Sequence, residues 1–316
     1  MGGAFGDESL AKSDDEDDGG AHDSGTEVSD HGNLLDLIGF EGEEDDPTGP
    51  GKVVQYGAFG NDILFGATGD DFIDGSRGDD LIYGADGNDA LYGSEGNDQL
   101  NGEQGDDTLI GGDGGDELLG YSGDDRMKGG DDDDILIGGD GADSLEGGDG
   151  ADRLMGGGDD DVLSGGDGED VLNGSSGNDL LYGVSNTRDA AELTDDFARD
   201  YLNGSTGDDQ LVIGAGDNAN GGTGADTFIT GDWGIGGAAS VIEDFDAAED
   251  ALVVVYDDEA HPAPTLGLHA DPDNPDTTIL TLDGVAVAEL LDPAGLDLDQ
   301  VSLVPASGMT LSTAAA

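Results

Sequence analysis

GAFGNDILF occupies residues 57–65, GATGDDFID residues 66–74 and GSRGDDLIY residues 75–83. All three follow one nine-residue pattern, G-x-x-G-x-D-x-U-x, where U is a large apolar residue. The pattern repeats fourteen times without a slip, from Gly57 to Tyr182, and closes on GSSGNDLLY at 174–182. Gly holds the first position of every copy. Asp holds the sixth: Asp62, Asp71, Asp80, Asp89, Asp98, Asp107, Asp116, Asp125, Asp134, Asp143, Asp152, Asp161, Asp170 and Asp179. The eighth is Leu or Ile throughout, apart from Met127. A short fixed period of this kind predicts identical units stacked into a solenoid.

On the C-terminal side the pattern continues with interruptions. Gly183 opens a further copy, but residues 184–198 replace its turn before Arg199–Asn203 resumes the pattern around Asp200 and Leu202. The insertion predicts an extruded loop with a short helix through AAELTDDFA at 190–198. GSTGDDQLV at 204–212 is a clean copy carrying Asp209, IGAGDNAN at 213–220 is one residue short, and GGTGADTFI at 221–229 carries Asp226. From about Gly231 the period stops. Val241–Phe245 and Asp250–Val255 read as strands, and Thr277–Leu282 and Val285–Leu290 flank Asp283-Gly284, a hairpin signal. Residues 231–316 are therefore expected to form a small β-rich C-terminal cap, which the end of a solenoid requires. The sole tryptophan, Trp233, is expected to pack within it. On the N-terminal side, residues 1–52 are rich in Asp, Glu, Gly and Ser, with one apolar island at Leu34–Ile38. They read as a disordered acidic arm, leaving 53–230 as the repeat domain.

Composition restricts the chemistry. With 76 acidic and 8 basic residues among 316, the formal net charge is −68. Phosphate binding needs clustered Lys and Arg, so nucleic acid is excluded as a partner, and anionic membrane for the same reason. No apolar run is long enough to span a bilayer. Cysteine is absent, and the four histidines, His22, His31, His261 and His269, form no ligand motif. Carboxylate and backbone oxygen remain as the abundant ligands, a set that selects hard cations such as calcium. The N-terminus has neither a basic start nor an apolar core, so no Sec signal peptide is read there.

Within the unit, D-x-U-x alternates as a short strand does, U inward and its neighbours outward. The seventh and ninth positions vary freely (Ile63, Gln99, Arg126 and Arg153; Asp74, Tyr83, Lys128 and Glu146), while the eighth does not. G-x-x-G is then expected to be the turn, with glycine supplying positive φ. Asp132 and Asp159 replace the fourth-position Gly in two copies, and Asp tolerates left-handed geometry. One strand and one turn make half a coil, so copies n and n+2 stack, and their Asp residues lie about one strand spacing, ~4.8 Å, apart. Like charges at that separation repel by roughly 1 to 4 kcal/mol per pair. Over about a dozen pairs this exceeds the roughly 5 to 15 kcal/mol of ordinary domain stability. A divalent cation between the carboxylates reverses the sign. Calcium takes six to eight oxygens, so about 12 or more sites are expected, with folding and calcium binding a single equilibrium. The candidate ligands are the fourteen Asp residues above together with Asp200, Asp209 and Asp226.

These residues resemble the nonapeptide repeats of RTX (hemolysin-type) calcium-binding proteins, without a gap over 57–182 and with interruptions to 229. The resemblance implies an all-β, right-handed parallel β-roll with calcium in its turns, held by the sixth-position Asp and by carbonyls of the G-x-x-G segment. SVIEDFDAAEDALVVVYD, from Ser240, resembles the region after such repeats in serralysin-type C-terminal domains. Members of the family usually leave the cell by a type I secretion apparatus through an uncleaved C-terminal signal. A secreted, extracellular protein is expected on that ground. Family members often carry a catalytic domain ahead of the roll, whereas about 52 polar residues precede it here.

The leading reading is a secreted calcium-binding repeat protein with a structural, matrix or surface role, and not an enzyme. G-x-S-x-G is absent, and none of Lys12, Lys52 and Lys128 completes a P-loop. The alternative is a non-catalytic carbohydrate-binding module of an alginate epimerase-like enzyme, or an adhesin, with extracellular polysaccharide as partner. Ninth-position aromatics, Phe65, Tyr83, Tyr92 and Tyr182, would provide stacking faces in that case; cross-strand packing is the simpler account. An ice-binding face would need a regular Thr array, and Thr108 and Thr227 stand alone at the seventh position.

Overall fold

A nine-residue unit with one apolar side chain can bury that side chain only against its neighbours, and the fold follows from this. In the computed structural model, residues 51–186, 193–291, 293 and 295–308 are described. The acidic arm and its island at 34–38 lie outside the described residues, apart from Gly51 and Lys52.

Successive copies contribute strands alternately to two parallel sheets. One sheet begins with Val54–Tyr56, Phe72–Arg77 and Ala90–Glu95 and runs through every other repeat strand to Thr227–Gly231. The other begins with Ile63–Phe65, Leu81–Asp86 and Gln99–Gln104 and reaches Asn218–Thr223. Register advances by eighteen residues per coil: Ile73 pairs with Leu91, and Leu91 with Leu109. The expected n, n+2 stacking is what forms. Eighth-position side chains fill the space between the sheets, and Ile73, Ile82, Leu91, Leu100, Leu109 and Leu118 are fully buried. From Leu64 to Leu172, one column of apolar residues per sheet is the core.

The strand is longer than D-x-U-x. It starts at the seventh position and runs through the third position of the next copy, as in Phe72–Arg77, so the turn is only the fourth to sixth residues. The first three positions of G-x-x-G therefore belong to the strand, and the turn residues are G-x-D. Positive φ falls at the fourth position, as expected of Gly96 (137°), and the two exceptions, Asp132 (76°) and Asp159 (73°), adopt the same conformation. It falls also at the second position, where Ser94 (86°), Glu103 (81°) and Tyr121 (77°) carry it without glycine. The first-position Gly has no positive φ, for a reason that lies in the site below.

The insertion leaves the stacking intact. Leu172 pairs with Leu202, thirty residues on, where uninterrupted coils advance by eighteen. Ser185–Asn186 and Leu193–Thr194 form a two-stranded antiparallel ladder at its base. The helix expected through 190–198 is not formed over 193–198, because Leu193–Thr194 pairs as a strand and the Asp195 and Asp196 side chains accept the amides of Phe197 and Ala198 in local turns; residues 187–192 lie outside the described residues. The short copy shifts register by one: Leu202 pairs with Ala219 and Leu211 with Phe228, each seventeen residues on.

Beyond Gly231 the sequence grammar changes but the two sheets do not end. Ala251–Tyr256 and Val301–Pro305 continue the first in parallel, and Ser240–Ile242 and Val285–Leu291 continue the second. The hairpin at Asp283-Gly284 forms as read, pairing Thr277–Leu282 with Val285–Leu291, and Leu266–Ala270 adds a further antiparallel strand. Over the last coils the outward face is covered: Leu180, Tyr182, Val184, Val212, Ile229 and Val255 form a second apolar cluster against which Trp233 packs. Trp233 donates from Nε1 to the Ile213 carbonyl at 3.1 Å, so it joins the cap to the repeat coils. Elsewhere the outward aromatics pair across strands, Phe65 stacking on Tyr83 at 5.2 Å.

Candidate metal centre

Each turn brings its sixth-position Asp beneath the next coil. The Asp80 amide donates to Asp98 Oδ1, Asp98 to Asp116 Oδ1, and Asp116 to Asp134 Oδ1, each at 2.7 Å. Twelve such bonds link the fourteen strict copies, always to the residue eighteen positions on. They form two columns, because odd and even copies stack separately. The interrupted coils stay in line, with Asp170 donating to Asp200 Oδ1 and Asp179 to Asp209 Oδ1, both thirty residues away. Asp209 in turn donates to Asp226 Oδ1 at 2.9 Å.

Only one carboxylate oxygen is used by this ladder. In thirteen of these residues, from Asp80 to Asp179 and again at Asp209, Oδ2 is buried without a hydrogen-bond partner. An unpartnered buried carboxylate oxygen costs several kcal/mol in a folded protein, and here the same cost recurs at every step. No nearby cation relieves it. Among the described residues, the lysine and arginine ion pairs are Lys128–Glu146 and Arg77–Glu95, both on outward positions. Burial accordingly pushes these carboxyl groups upward, Asp107 and Asp116 to about 7 and Asp161 to about 8. The backbone hydrogen bond opposes the shift, and the charges of stacked neighbours add to it.

The invariant first-position Gly is explained by the same oxygen. A Cβ on Gly93 would run into Asp98 Oδ2 and stand 2.8 Å from the Gly111 carbonyl oxygen. Gly102 meets Asp107 Oδ2 and the Gly120 carbonyl in the same way, the carbonyl at 3.0 Å. Glycine is therefore required for space and not for backbone conformation. The orphaned Oδ2 and a carbonyl of the next coil converge there, both hard oxygen donors of the kind calcium takes. Among the described residues, no three Asp, Glu, His or Cys side chains are gathered closely enough to hold a metal by themselves. A cation in these columns must draw on backbone carbonyls as well as carboxylates.

A second, outer column lines each turn at the fifth position, with the opposite polarity. Asp79 donates its amide to Asn61 Oδ1, and Asn97 donates to Asp79 Oδ1, each at 3.1 Å. Asp124 donates to Asp106 Oδ1 likewise. The fifth position is Asn or Asp in most copies, a bias that could have revealed the column in the sequence.

With this geometry in hand, comparison with protein families matches the RTX calcium-binding nonapeptide repeat at residues 56–91, 83–118, 110–145, 119–154, 146–181 and 193–219. The chain is an RTX-type repeat protein. The RTX repeats bind calcium, and the buried Asp columns fit many such ions. No match to the chain is found among curated proteins.

Of the sequence-derived candidates in this RTX roll, Asp62 to Asp179, Asp200, Asp209 and Asp226 all lie in the two columns. Two members were missed. Asp217, fully buried, accepts the Asp200 amide at 3.0 Å, and Asp250 accepts the Asp226 amide at 3.0 Å. Asp217 belongs to the copy that is one residue short, where counting by nine loses the register. The spacing Asp217-Asn218-Ala219 still sets an Asp two residues before an inward side chain, and that signal would have found it. Asp250 lies outside the repeat and only the fold aligns it.

Proposed function

We propose that Asp62, Asp71, Asp80, Asp89, Asp98, Asp107, Asp116, Asp125, Asp134, Asp143, Asp152, Asp161, Asp170, Asp179, Asp200, Asp209 and Asp226 hold the calcium ions. Each carboxylate serves the gap between two coils, and loading the columns and folding the roll are one process. The supporting observation is the row of thirteen buried, unpartnered Oδ2 atoms. Bound calcium supplies the positive charge that the columns lack. The protein's own part is to present Oδ2 and to keep the space above each first-position Gly open for it. The arm 1–52, the roll 53–230 with its inserted loop, and the C-terminal region 231–316 are the units of this reading. The protein then works outside the cell, after type I export, as a calcium-stiffened structural, matrix or surface element without catalysis. In a medium of low calcium the chain stays extended and self-repelling; in millimolar calcium it becomes a rod.

An open groove of about 570 Å³ on the outward face favours extracellular polysaccharide as a partner. Lys128, Glu146, Asp149, Ser164 and Tyr182 line it. Among the described residues no helix is long and apolar enough to cross a membrane.

Calorimetric titration of the full chain tests the assignment. Asp116→Ala removes the acceptor of the Asp98 amide and one orphan oxygen, and should weaken the two gaps that flank it. An unchanged ion count with unchanged affinity would count against shared carboxylates. Retention on immobilised polysaccharide, dependent on calcium, tests the partner.

A further inference from the structure

Toward the C-terminal coils the outward face of the second sheet turns from apolar to amide. Along one row of ninth positions, Leu119, Ile137 and Met155 are followed by Asn173, Asn203 and Asn220 on successive strands. Beside them, in the seventh-position row, stand Val171, Tyr201 and Asn218. Tyr201 is 47% exposed, so its ring lies open to solvent. Glu243 closes the patch on the next strand, where its amide donates to the Ala219 carbonyl at 2.9 Å. Together these side chains line an open hollow of about 390 Å³, within the size range of small-molecule sites.

An asparagine ladder that served only the sheet would close its own hydrogen bonds. This one leaves most of them open. Asn203 Nδ2 reaches Asn173 Oδ1 at 3.4 Å, a long bond, and the Ser205 hydroxyl already donates to the same oxygen at 2.9 Å. Among the described residues, the side chains of Asn218 and Asn220 bond to nothing. Each carboxamide holds a donor and an acceptor in one plane, and a sugar hydroxyl is likewise both. The tyrosine ring supplies an apolar face of the kind that packs on the C–H face of a sugar. The rows repeat at the strand spacing of ~4.8 Å, comparable with the length of one sugar unit, so a linear chain laid along the roll axis meets an amide at each unit.

We propose that this patch binds a neutral, hydroxyl-rich glycan, with Tyr201 as the stacking face and Asn203, Asn218 and Asn220 as hydrogen-bonding groups. Charge selects the neutral class. The one charged side chain lining the hollow is Glu243, which accepts from a hydroxyl but repels a uronate carboxylate, and no lysine or arginine lines it to pair with one. The site extends the polysaccharide reading to a second face, since the groove beside Lys128 lies on the first sheet and is lined by Asp131, Asp149 and Asp167.

Calorimetric titration of the full chain in calcium tests the site, with cellohexaose, mannohexaose and laminarihexaose as neutral probes and a galacturonate hexamer as the anionic one. At least one neutral hexamer should bind, and more tightly than the galacturonate. Tyr201→Ala should weaken that binding about tenfold or more, whereas Tyr201→Phe, which keeps the ring, should preserve it. Circular dichroism of the same samples shows whether the roll is intact. If Tyr201→Ala does not fold, Asn220→Asp replaces it, being equal in size and outward-facing, and should weaken binding by adding a second carboxylate. Lys128→Ala should leave binding unchanged. The proposal is overturned if no neutral hexamer binds, if the galacturonate binds more tightly, or if the folded Tyr201 and Asn220 variants bind as wild type does. Binding that survives those variants but is lost in Lys128→Ala would place the glycan in the other groove, refuting this site and upholding that one.

Discussion

Stripped of calcium, the roll should be a strand structure at acid pH and a coil at neutral pH. An ordinary aspartate titrates near 3.8, whereas burial in the columns raises Asp107, Asp116, Asp125, Asp134 and Asp143 to about 7. Because the folded values are raised, the folded state binds more protons than the unfolded chain between about pH 4 and 7. The metal-free roll is therefore least penalised below the unfolded value and loses stability as pH rises through the folded one. A shift of about 3 units is worth about 4 kcal/mol per group at pH 7.5. Three such groups would offset the roughly 5 to 15 kcal/mol that hold an ordinary domain together, and the five named here share one environment. Far-UV circular dichroism of the chelated chain from pH 8 to pH 4 should show strand signal growing as protons replace the missing cation. Calcium at pH 8 should restore it, and lowering pH should in turn weaken calcium binding. Full strand signal at pH 8 in chelator would refute the reasoning, since it would mean that the columns tolerate their charge unaided.

Three substitutions probe separate parts of the coil. Gly93→Ala places a methyl against Asp98 Oδ2 and the Gly111 carbonyl, and should destabilise the calcium-loaded roll by about 1 to 3 kcal/mol in thermal melting; an unchanged melting temperature would remove the spatial role given to the first glycine. Glu103→Gly relieves a φ of 81° and should raise stability by about 0.5 to 1 kcal/mol, the left-handed strain exceeding the entropy that glycine adds. Asp217→Ala should weaken calcium binding as strongly as a change at a strict-copy Asp, and calorimetric equivalence to wild type would exclude it from the column.

Much of this was legible because the chain repeats. Each copy tests the others, so the constancy of Asp80 and Ile82 beside the variability of Leu81 and Tyr83 marks which side chains face inward. Where repetition fails, legibility fails with it. Asp217 lost its place through a single missing residue, and 193–198, helical by local composition, were taken by the ladder at the base of the loop and by side-chain turns of Asp195 and Asp196. The second apolar cluster was invisible for a different reason. Tyr182 occupies a nominally outward position and is buried in a cluster with Val184 of the insertion, Val212, Ile229 and Val255, against which Trp233 packs.

The sequence by itself determined the period, the inward aliphatic column, the pairing of every second copy and the need for a hard cation. These follow from local spacing and from net charge, both of which are properties of the chain. Only the tertiary structure decided that the turn is three residues long, that one oxygen of a column Asp bonds the preceding coil while in thirteen of them the other is left without a partner, and that the first glycine is kept small by that oxygen. Those features depend on the distance between coils eighteen residues apart, which stacking sets and no single copy contains.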